Sequence, residues 1–320
     1  MDINQYIAAL DWNKEPKGLY EPIAYALAGG GKRLRPMLAV LACRLVGGKE
    51  EEVMPAALAL EVFHNFTLLH DDVMDHALVR RSRPSVNAKY NDNTAILSGD
   101  QMLIEAYKLL SQVPQDKQLK TLSLFNEMAT GVCEGQQLDM DFETSPLDQV
   151  SQDEYIHMIR LKTAVLLAYA LKIGAYIGGA NSIVQEALFA FGINIGLAFQ
   201  IQDDVLDVYG DEATFGKAIG GDICEGKKSF IFLIARDNAD SQTKVDLFEA
   251  MRQPVSNAIT KQQKIAHVTS LYNRVHARTH AEERITYYTQ EALRQMENLP
   301  DNEAKRTLIG LAEQLVTRQS

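Results

Sequence analysis

The feature that most constrains the fold is a pair of long apolar segments that each end in a cluster of aspartates. The first, residues 60–75, reads LEVFHNFTLLHDDVMD, and the second, residues 187–207, reads ALFAFGINIGLAFQIQDDVLD. In a helix with 3.6 residues per turn, Asp71 and Asp75 lie about 40° apart on one face. Like charges at this spacing destabilise a helix by roughly 0.2–0.5 kcal/mol unless a cation compensates them. The repeated pattern therefore predicts two helices whose carboxylate ends bind a hard metal ion.

Small residues on the second segment suggest what lies between these helices. Gly192 and Gly196 fall within about 20° of the Asp203 face in ideal helix geometry. Glycines at these positions predict an open lane along the helix. The two segments together predict helices that face each other across a slot lined by apolar and small side chains.

Composition excludes several classes of protein. With 46% hydrophobic and 23% charged residues, the 320-residue chain is an ordinary globular sequence, and without a linker it predicts one domain over residues 1–320. A net charge of -10 and a pI near 5.3 argue against nucleic acid or an anionic membrane as the main partner.

No transmembrane segment or leader is expected. The three separated cysteines are expected to be buried free thiols, which predicts a cytoplasmic protein.

Glycine and proline separate segments of helical periodicity, and almost none alternates as a strand would, so the expected fold class is all-α. Ser151 and Glu154 form a candidate capping box that opens a helix reaching about Ile177. Residues 209–230 hold five glycines and several lysines. This stretch predicts a mobile basic loop.

Basic side chains recur beside each acidic motif. They are Lys32, Arg33 and Arg35 after a run of glycines, Arg80, Arg81 and Arg83 after the first aspartates, and Lys217 and Lys227 after the second. Guanidinium groups bind phosphate oxygens directly, whereas carboxylates bind them through Mg²⁺. The combination predicts two phosphorylated substrates, one held through metal and one through cations. The apolar slot predicts a hydrocarbon on at least one of them.

An ordered set of motifs makes the chain resemble the trans-isoprenyl diphosphate synthase (polyprenyl synthetase) family over nearly its whole length. The motifs run from GGKRLRP at residues 30–36 through LLHDDVMD with the trailing RR, GDQML, GQQLDMD and LKTA to FQIQDDVLD and the following GK and K. The resemblance implies the all-α isoprenoid synthase fold, a large single-domain helical bundle around a central apolar cavity, usually in a homodimer. It also implies a prenyltransferase that condenses isopentenyl diphosphate with dimethylallyl, geranyl or farnesyl diphosphate.

The resemblance assigns roles to individual residues. The metal ligands are Asp71, Asp75 and Asp203, with Asp72, Asp204 and Asp207 at the remaining acidic positions. The isopentenyl diphosphate site is matched by Lys32, Arg35, His64 and Arg81, and the allylic diphosphate site by Arg80, Lys162, Lys217 and Lys227. Thr163 and Gln200 match positions near the reacting carbons. Lys227 follows Lys217 by ten residues with Gly220 and Gly221 between them, a spacing that departs slightly from the family pattern.

The implied cofactor is Mg²⁺, about three ions per active site, held by carboxylates and substrate phosphates. The implied reaction ionises the allylic C–O bond, and the isopentenyl double bond then attacks the cation. Diphosphate takes the final proton. Because water would quench the cation, the glycine-rich residues 210–226 are expected to act as a lid.

Product length depends on how the slot is closed before Asp71. A tail running back along the helix would meet residues four to eight positions earlier after about 6–12 Å. Ideal geometry points Phe63 and Thr67 toward the Asp71 face, whereas Phe66 is implicated by its match to a position that sets length in the family. The single aromatic in Phe66-Thr67 resembles geranylgeranyl rather than animal-type farnesyl synthases. These residues predict a C15–C20 product with C20 favoured, unless both phenylalanines simply fill the core.

Other functions remain open from the sequence. They are a class I terpene cyclase, a His–Asp metal phosphohydrolase suggested by His64 and the His70-Asp71 pair, a longer-chain synthase, and a non-catalytic partner subunit of a heteromeric synthase. The second aspartate-rich motif and the GGKRLRP segment weigh against a cyclase. The intact motifs weigh against a non-catalytic subunit.

Overall fold

The computed structural model describes residues 3–211 and 219–317, and within them every element except one two-stranded ribbon is helical. The predicted all-α fold class is therefore confirmed. The first elements are α1 (Ile3–Ala8), α2 (Lys17–Leu27), α3 (Leu34–Leu45), α4 (Glu50–Met74), β1 (Val79–Arg80), β2 (Arg83–Pro84), α5 (Val86–Lys89), α6 (Asp92–Leu110) and α7 (Gln115–Thr144). They are followed by α8 (Gln152–Ile159), a π-helical segment (Arg160–Ala164), α9 (Val165–Ile177), α10 (Ser182–Tyr209), α11 (Gly221–Glu225), α12 (Phe230–Asn238), α13 (Ser241–Arg252), α14 (Ala258–Arg274), α15 (Ala277–Met296) and α16 (Glu303–Thr317).

The described residues group into two compact units. The first holds residues 3–127, 169–189 and 300–308, and the second holds residues 128–168, 190–211, 219–299 and 309–317. Each acidic motif belongs to a different unit, the first motif to unit 1 and the second to unit 2. The prediction of one domain over residues 1–320 stays a prediction.

Helix α4 carries the first acidic motif and is the central helix of unit 1, where α3 and α6 pack against it. It begins at Glu50, ten residues before the apolar run singled out in the sequence, with three glutamates in a first turn that favours negative charge. Its middle is buried, with Leu60 and Phe63 at most 1% exposed. Asp75 follows its last residue, so the motif lies at the helix end as predicted.

The helix predicted from Ser151 to about Ile177 is present and contains a π-helical segment at its centre. The capping box is confirmed, since Ser151 Oγ accepts from the Glu154 N–H at 3.2 Å and Glu154 Oε2 accepts from the Ser151 N–H at 2.7 Å. The π-helical segment then separates α8 from α9 and carries Lys162 and Thr163. Such segments recur at functional sites because the extra residue in the turn redirects side chains.

Two glycines allow helices to approach this π-helical segment closely. A Cβ added at Gly135 of α7 would lie 2.2 Å from the backbone nitrogen of Lys162. A Cβ added at Gly196 of α10 would lie 2.5 Å from both Cα and Cβ of Ala164. The prediction that Gly196 leaves an open lane is therefore wrong. Gly196 is needed because α10 packs directly on the backbone of the π-helical segment.

The prediction that all three cysteines are buried free thiols is only partly right. The cysteines are free, but only Cys43 is buried, whereas Cys133 is exposed and Cys224 half-buried.

Helix α10 bears on the prediction that the chain has no transmembrane segment. By length and composition alone, α10 could cross a membrane, although 44% of its most apolar window is buried inside the protein. Because the core helix of a soluble protein meets the same criteria, this is weak evidence for a membrane span. The predicted absence of a transmembrane segment stays a prediction.

Candidate functional site

The predicted site residues form two groups, one in each unit. Unit 1 holds the first acidic motif, the cations of GGKRLRP and the hairpin β1–β2. Unit 2 holds the second acidic motif, the π-helical segment and the lysines before α12. Lys217 lies outside the described residues, as does part of the predicted lid.

The first acidic motif contains two kinds of carboxylate. Asp72 is buried, and one of its oxygens accepts hydrogen bonds from Arg80 Nε at 2.9 Å and Nη2 at 2.5 Å. Burial raises the pKa of Asp72, and Arg80 works against that rise. Asp71, by contrast, is half-buried and Asp75 is exposed. The outer two carboxylates are therefore more accessible than Asp72, although Asp71 Oδ2 also lies 3.5 Å from Arg80 Nη2.

The hairpin positions Arg80 and Arg81 immediately after this motif. Its turn residues Arg81 and Ser82 both have positive φ, 53° and 59°, a conformation that such turns usually assign to Asn or Gly. Tyr25 stabilises the hairpin, because its hydroxyl donates to the Pro84 carbonyl at 2.8 Å. Arg81 in turn donates to the Gly30 carbonyl. The hairpin and the glycine segment are thus held together at the residues predicted to bind isopentenyl diphosphate.

A buried ion pair organises the GGKRLRP segment. Arg33, in a left-handed conformation with φ of 47°, donates to Glu61 Oε1 at 2.6 Å and to the Leu27 carbonyl at 2.5 Å. Asn65 also donates to Glu61, at 3.1 Å. Arg33 is therefore a structural cation, and Lys32 on one side of it is exposed while Arg35 on the other is half-buried.

Arg35 and His64 share this cationic environment. Burial lowers the pKa of Arg35 to about 10, which leaves it charged at neutral pH, and Glu61 opposes the shift. Burial also lowers the pKa of His64 well below its usual value, and the nearby Arg35 and Arg81 lower it further. His64 is therefore neutral at pH 7, so it can both donate and accept a hydrogen bond among the arginines.

The three predicted chain-length residues lie on α4 in different surroundings. Phe63 is 1% exposed and packs edge-on against Phe125 with ring centroids 5.3 Å apart. Phe66 is half-buried, and its ring centroid lies 4.8 Å from that of His70. Thr67, also half-buried, donates to the His64 carbonyl at 2.8 Å. Phe63 therefore has a core packing role whatever else it does, and Phe66 is the more accessible of the two aromatic rings.

Unit 2 contains a cavity of about 160 Å³ that is lined by both polar and apolar side chains. It collects predicted site residues from three separate elements together with residues that no motif had assigned. Its lining includes Asp139, Tyr155, Lys162, Thr163, Gln200, Asp204, Asp222, Lys227 and Lys228. Because carboxylates, lysines and amides converge there, the cavity is the candidate active-site region of this unit.

The second acidic motif repeats the division of the first. Asp204 is buried and accepts from the Tyr155 hydroxyl at 2.6 Å, the Phe230 N–H at 2.9 Å and Gln200 Nε2 at 3.3 Å. Burial raises the pKa of Asp204 to about 6, and these hydrogen bonds limit the rise. Asp203 and Asp207 are half-buried. The second aspartate is again the most enclosed of the three, although Asp207 also accepts from the backbone N–H groups of Gly221 at 3.2 Å and Asp222 at 3.1 Å.

Lys162 and Thr163 extend from the π-helical segment into this cavity. Lys162 Nζ donates to Asp139 Oδ2 at 2.5 Å, and Thr163 Oγ1 donates to Gln200 Oε1 at 3.1 Å. Lys227 lies 3.0 Å from Glu225. The structure therefore brings Lys162, Thr163, Gln200 and Lys227 together, as predicted from widely separated motifs.

Several cavity residues were not identified from the sequence. Asp139 belongs to the GQQLDMD motif, which therefore contained the signal, and Asp222 lies in the glycine-rich stretch on the unexpected short helix α11. Burial and the nearby carboxylates of Asp207 and Asp204 raise the pKa of Asp222 to about 8. Tyr155 and Lys228, which donates to the Phe142 carbonyl at 2.6 Å, belong to none of the motifs.

The accessible carboxylates fit a divalent cation by donor chemistry. Hard oxygen donors on half-buried or exposed side chains suit Mg²⁺ or Ca²⁺, which keep coordination positions for water and phosphate. Among residues 3–211 and 219–317, no three or more His, Cys, Asp or Glu side chains form a group that could hold a metal by themselves. This arrangement suits an ion that is bound partly through its phosphorylated substrate.

Comparison with known proteins identifies the family. A family model described as polyprenyl synthetase matches residues 16–271. The chain belongs to this family. A geranylgeranyl diphosphate synthase from Methanosarcina mazei is 37% identical over 309 residues, covering 95% of this chain and 91% of that protein.

Solved structures agree with this assignment. The crystal structure of a geranylgeranyl pyrophosphate synthetase from Pyrococcus horikoshii has a TM-score of 0.92 at 32% identity and covers 99% of this chain and 95% of that one. A Caulobacter crescentus polyprenyl synthase complexed with calcium and isoprenyl diphosphate has a TM-score of 0.87 at 28% identity, with 99% and 94% coverage. The predicted isoprenoid synthase fold is therefore confirmed.

Family membership makes this protein a prenyltransferase of the short-chain isoprenyl diphosphate synthase type. The family depends on a divalent metal ion. The match favours this activity over a terpene cyclase or a phosphohydrolase. The roles predicted for individual residues stay predictions.

Proposed function

We propose that the protein condenses isopentenyl diphosphate with dimethylallyl, geranyl and farnesyl diphosphates, with C20 geranylgeranyl diphosphate favoured over C15 farnesyl diphosphate as the product. The observation that supports this proposal is the presence in unit 1 of two chemically different groups of side chains, each suited to binding a diphosphate. One is the arginine group around neutral His64, and the other is the accessible pair Asp71 and Asp75. One unit thus has the means to bind one diphosphate directly and another through metal.

The direct group is assigned to isopentenyl diphosphate. Arg35 and Arg81 supply charge, and neutral His64 supplies a hydrogen bond without adding to the repulsion among the arginines. Lys32 is exposed and able to reach an incoming anion. Glu61 offsets part of the positive charge before the substrate binds.

Mg²⁺ is the proposed metal, about three ions per site. The proposed ligands are Asp71 and Asp75 in unit 1 and Asp203 in unit 2, with Asp72, Asp204 and Asp207 as auxiliary carboxylates. When bound, the metal supplies Lewis-acid stabilisation of the charge that develops on the departing diphosphate. Arg80 in unit 1, held by Asp72, and Lys162 and Lys227 in unit 2 are proposed to bind diphosphate oxygens. Lys217 is proposed to join them.

Thr163 and Gln200 are proposed to face the carbons between which the new bond forms. Their hydrogen bond presents oxygen atoms next to the place where positive charge develops on the allylic fragment. Residues 210–226 are proposed to exclude water that would quench this cation. The released diphosphate takes the proton that leaves the condensed product.

We also propose a homodimer in the cytoplasm and a single polyprenyl synthetase domain. Exposed apolar side chains on α6 support the dimer, since Leu97 and Ile104 lie on one face and are 60% and 50% exposed. The free cysteines support the cytoplasm.

The deciding experiment incubates the purified protein with Mg²⁺, isopentenyl diphosphate and each primer separately, and identifies the products by mass. The expected result is a C20 product with a smaller amount of C15, and no product when Mg²⁺ is chelated. Products of C25 or longer would make this a longer-chain synthase. An inactive pure homomer would favour the non-catalytic partner subunit instead.

A further inference from the structure

Tyr155 of α8 starts a chain of hydrogen bonds that leads into the cavity of unit 2. Its buried hydroxyl donates to Asp204 Oδ2 at 2.6 Å. Gln200 Nε2 donates to the other oxygen of Asp204 at 3.3 Å, and Thr163 Oγ1 donates to Gln200 Oε1 at 3.1 Å. All four side chains line the same cavity.

The direction of each bond in this chain follows from the chemistry of the groups. An ionised carboxylate only accepts hydrogen bonds, so Tyr155 and Gln200 must both donate to Asp204. The nitrogen of the Gln200 amide is then turned toward Asp204 and its oxygen toward Thr163. The Thr163 hydroxyl must therefore donate its only hydrogen to Gln200, which leaves its lone pairs for other partners.

The orientation of each side chain in this series of hydrogen bonds depends on the side chain before it. Asp204 Oδ2 is shared between Tyr155 and the Phe230 N–H, which lies 2.9 Å away. Without the Tyr155 hydroxyl, the carboxylate is held on that side by one donor among the described residues and can turn away from Gln200. The amide would then lose the contact that decides which of its ends faces Thr163.

We propose that Tyr155 is a positioning residue for prenyl transfer, which acts through Asp204 and Gln200 to fix the direction of the Thr163 hydroxyl. The proposal rests on the proposed function in one respect, the role of Thr163 and Gln200 beside the reacting carbons. It assigns a role to a tyrosine that none of the sequence motifs contains. Tyr155 itself does not touch the reacting atoms.

The test combines Tyr155→Phe with two substitutions at the other end of the chain. The Tyr155 ring stacks on Phe230 with centroids 6.0 Å apart, so phenylalanine retains the packing and removes only the hydroxyl. Thr163→Val removes the last hydroxyl of the chain, and Thr163→Ser retains it. The control is Tyr272→Phe, a buried tyrosine of the same unit whose hydroxyl lies 3.9 Å from the Met251 sulfur.

The measurements are kcat, the KM for each substrate and the melting temperature of every single and double variant of the full chain. Tyr155→Phe should lower kcat at least about fivefold, as expected for losing one buried hydrogen bond in the transition state, with KM for isopentenyl diphosphate unchanged. The same loss should appear in the Thr163→Ser background. In the Thr163→Val background, Tyr155→Phe should change kcat by less than about twofold.

Three results would overturn the proposal. One is an equal loss of kcat from Tyr155→Phe in the Val and Ser backgrounds, since that shows action independent of Thr163. Another is a loss no larger than that of Tyr272→Phe. A third is normal kcat in Thr163→Val alone, which removes the proposed role of Thr163 while the wild-type product still supports the proposed function.

Discussion

Arg80 donates from two of its nitrogens to one oxygen of Asp72, at 2.9 and 2.5 Å, and at the longer distance of 3.5 Å to Asp71 Oδ2. Asp72 is enclosed, whereas Asp71 and Asp75 remain accessible. In the second motif protein donors surround Asp204 in the same way, and two backbone N–H groups also donate to Asp207. In each motif the middle aspartate is therefore the most enclosed carboxylate, and the flanking aspartates are less buried.

Replacement of an accessible aspartate should abolish most of the activity. Asp71→Ala or Asp203→Ala should each lower kcat by at least about 10², because each removes stabilisation of the charge that develops on the leaving diphosphate. The measurement is steady-state turnover with saturating Mg²⁺, with the folded state checked by circular dichroism. Asp148→Ala, at an exposed loop aspartate, is the matched control. Near-normal turnover in either variant would remove that residue from the proposed metal site.

The enclosed aspartate should behave differently. Asp72→Asn keeps the side-chain shape but loses the charge that holds Arg80, so the KM for the allylic primer should rise about 3- to 10-fold. The Mg²⁺ concentration for half-maximal rate should stay the same, whereas Asp71→Asn should raise it. Equal shifts in the Mg²⁺ requirement of both variants would show that Asp72 binds metal as well.

Arg81 tests the assignment of the direct diphosphate site. Arg81→Ala should raise the KM for isopentenyl diphosphate by at least about tenfold, because it removes a guanidinium contact that no metal ion replaces. The KM for the primer should change much less. Arg278→Ala, at an exposed arginine of α15 in unit 2, provides the control. Equal increases in both KM values would argue against separate sites.

His64 should make stability depend on pH. Its pKa in the folded protein is lowered by burial and by the surrounding arginines, so below about pH 6.5 the unfolded chain takes up a proton that the folded protein does not. The free energy of unfolding should therefore fall as pH falls below about 6.5, by up to about 1.4 kcal/mol per pH unit.

Urea unfolding at pH 7.5 and pH 5.5 measures this effect. His64→Gln should lose less stability between the two pH values than the wild type, because glutamine has no proton to take up. His267→Gln, at an exposed histidine of α14, should behave like the wild type. A wild-type slope in His64→Gln would show that other groups cause the acid sensitivity.

Phe66 tests the proposed limit on product length. Phe66→Ala should lengthen the product by at least one isoprene unit, since Phe66 is half-buried and its ring can be removed at moderate cost. Phe63→Ala would lose its packing on Phe125 and should cost about 3–5 kcal/mol of stability, so it is best combined with Phe66→Ala at low temperature. Products are identified by mass, and unchanged length in the double variant would show that other residues close the slot.

Much of this protein could be predicted because its chemistry is local in the chain. Asp71 and Asp75 are one helical turn apart, and the capping box of Ser151 and Glu154 spans a single turn, so helix geometry alone describes them. The all-α fold follows from apolar periodicity for the same reason. The family resemblance then named Lys162, Thr163 and Gln200, which the structure brings to one cavity.

Tertiary structure decided what depends on contacts between distant segments. Asp72 is enclosed because Arg80 binds it, and Asp204 is enclosed because Tyr155 and Phe230 bind it. The motif sequences DDVMD and DDVLD do not show which of their aspartates is enclosed. The prediction of an open lane at Gly196 was wrong because periodicity shows which helix face a residue lies on but not which element packs against that face. The neutral state of His64 likewise arises from arginines on other segments and from burial, neither of which a sequence position reveals.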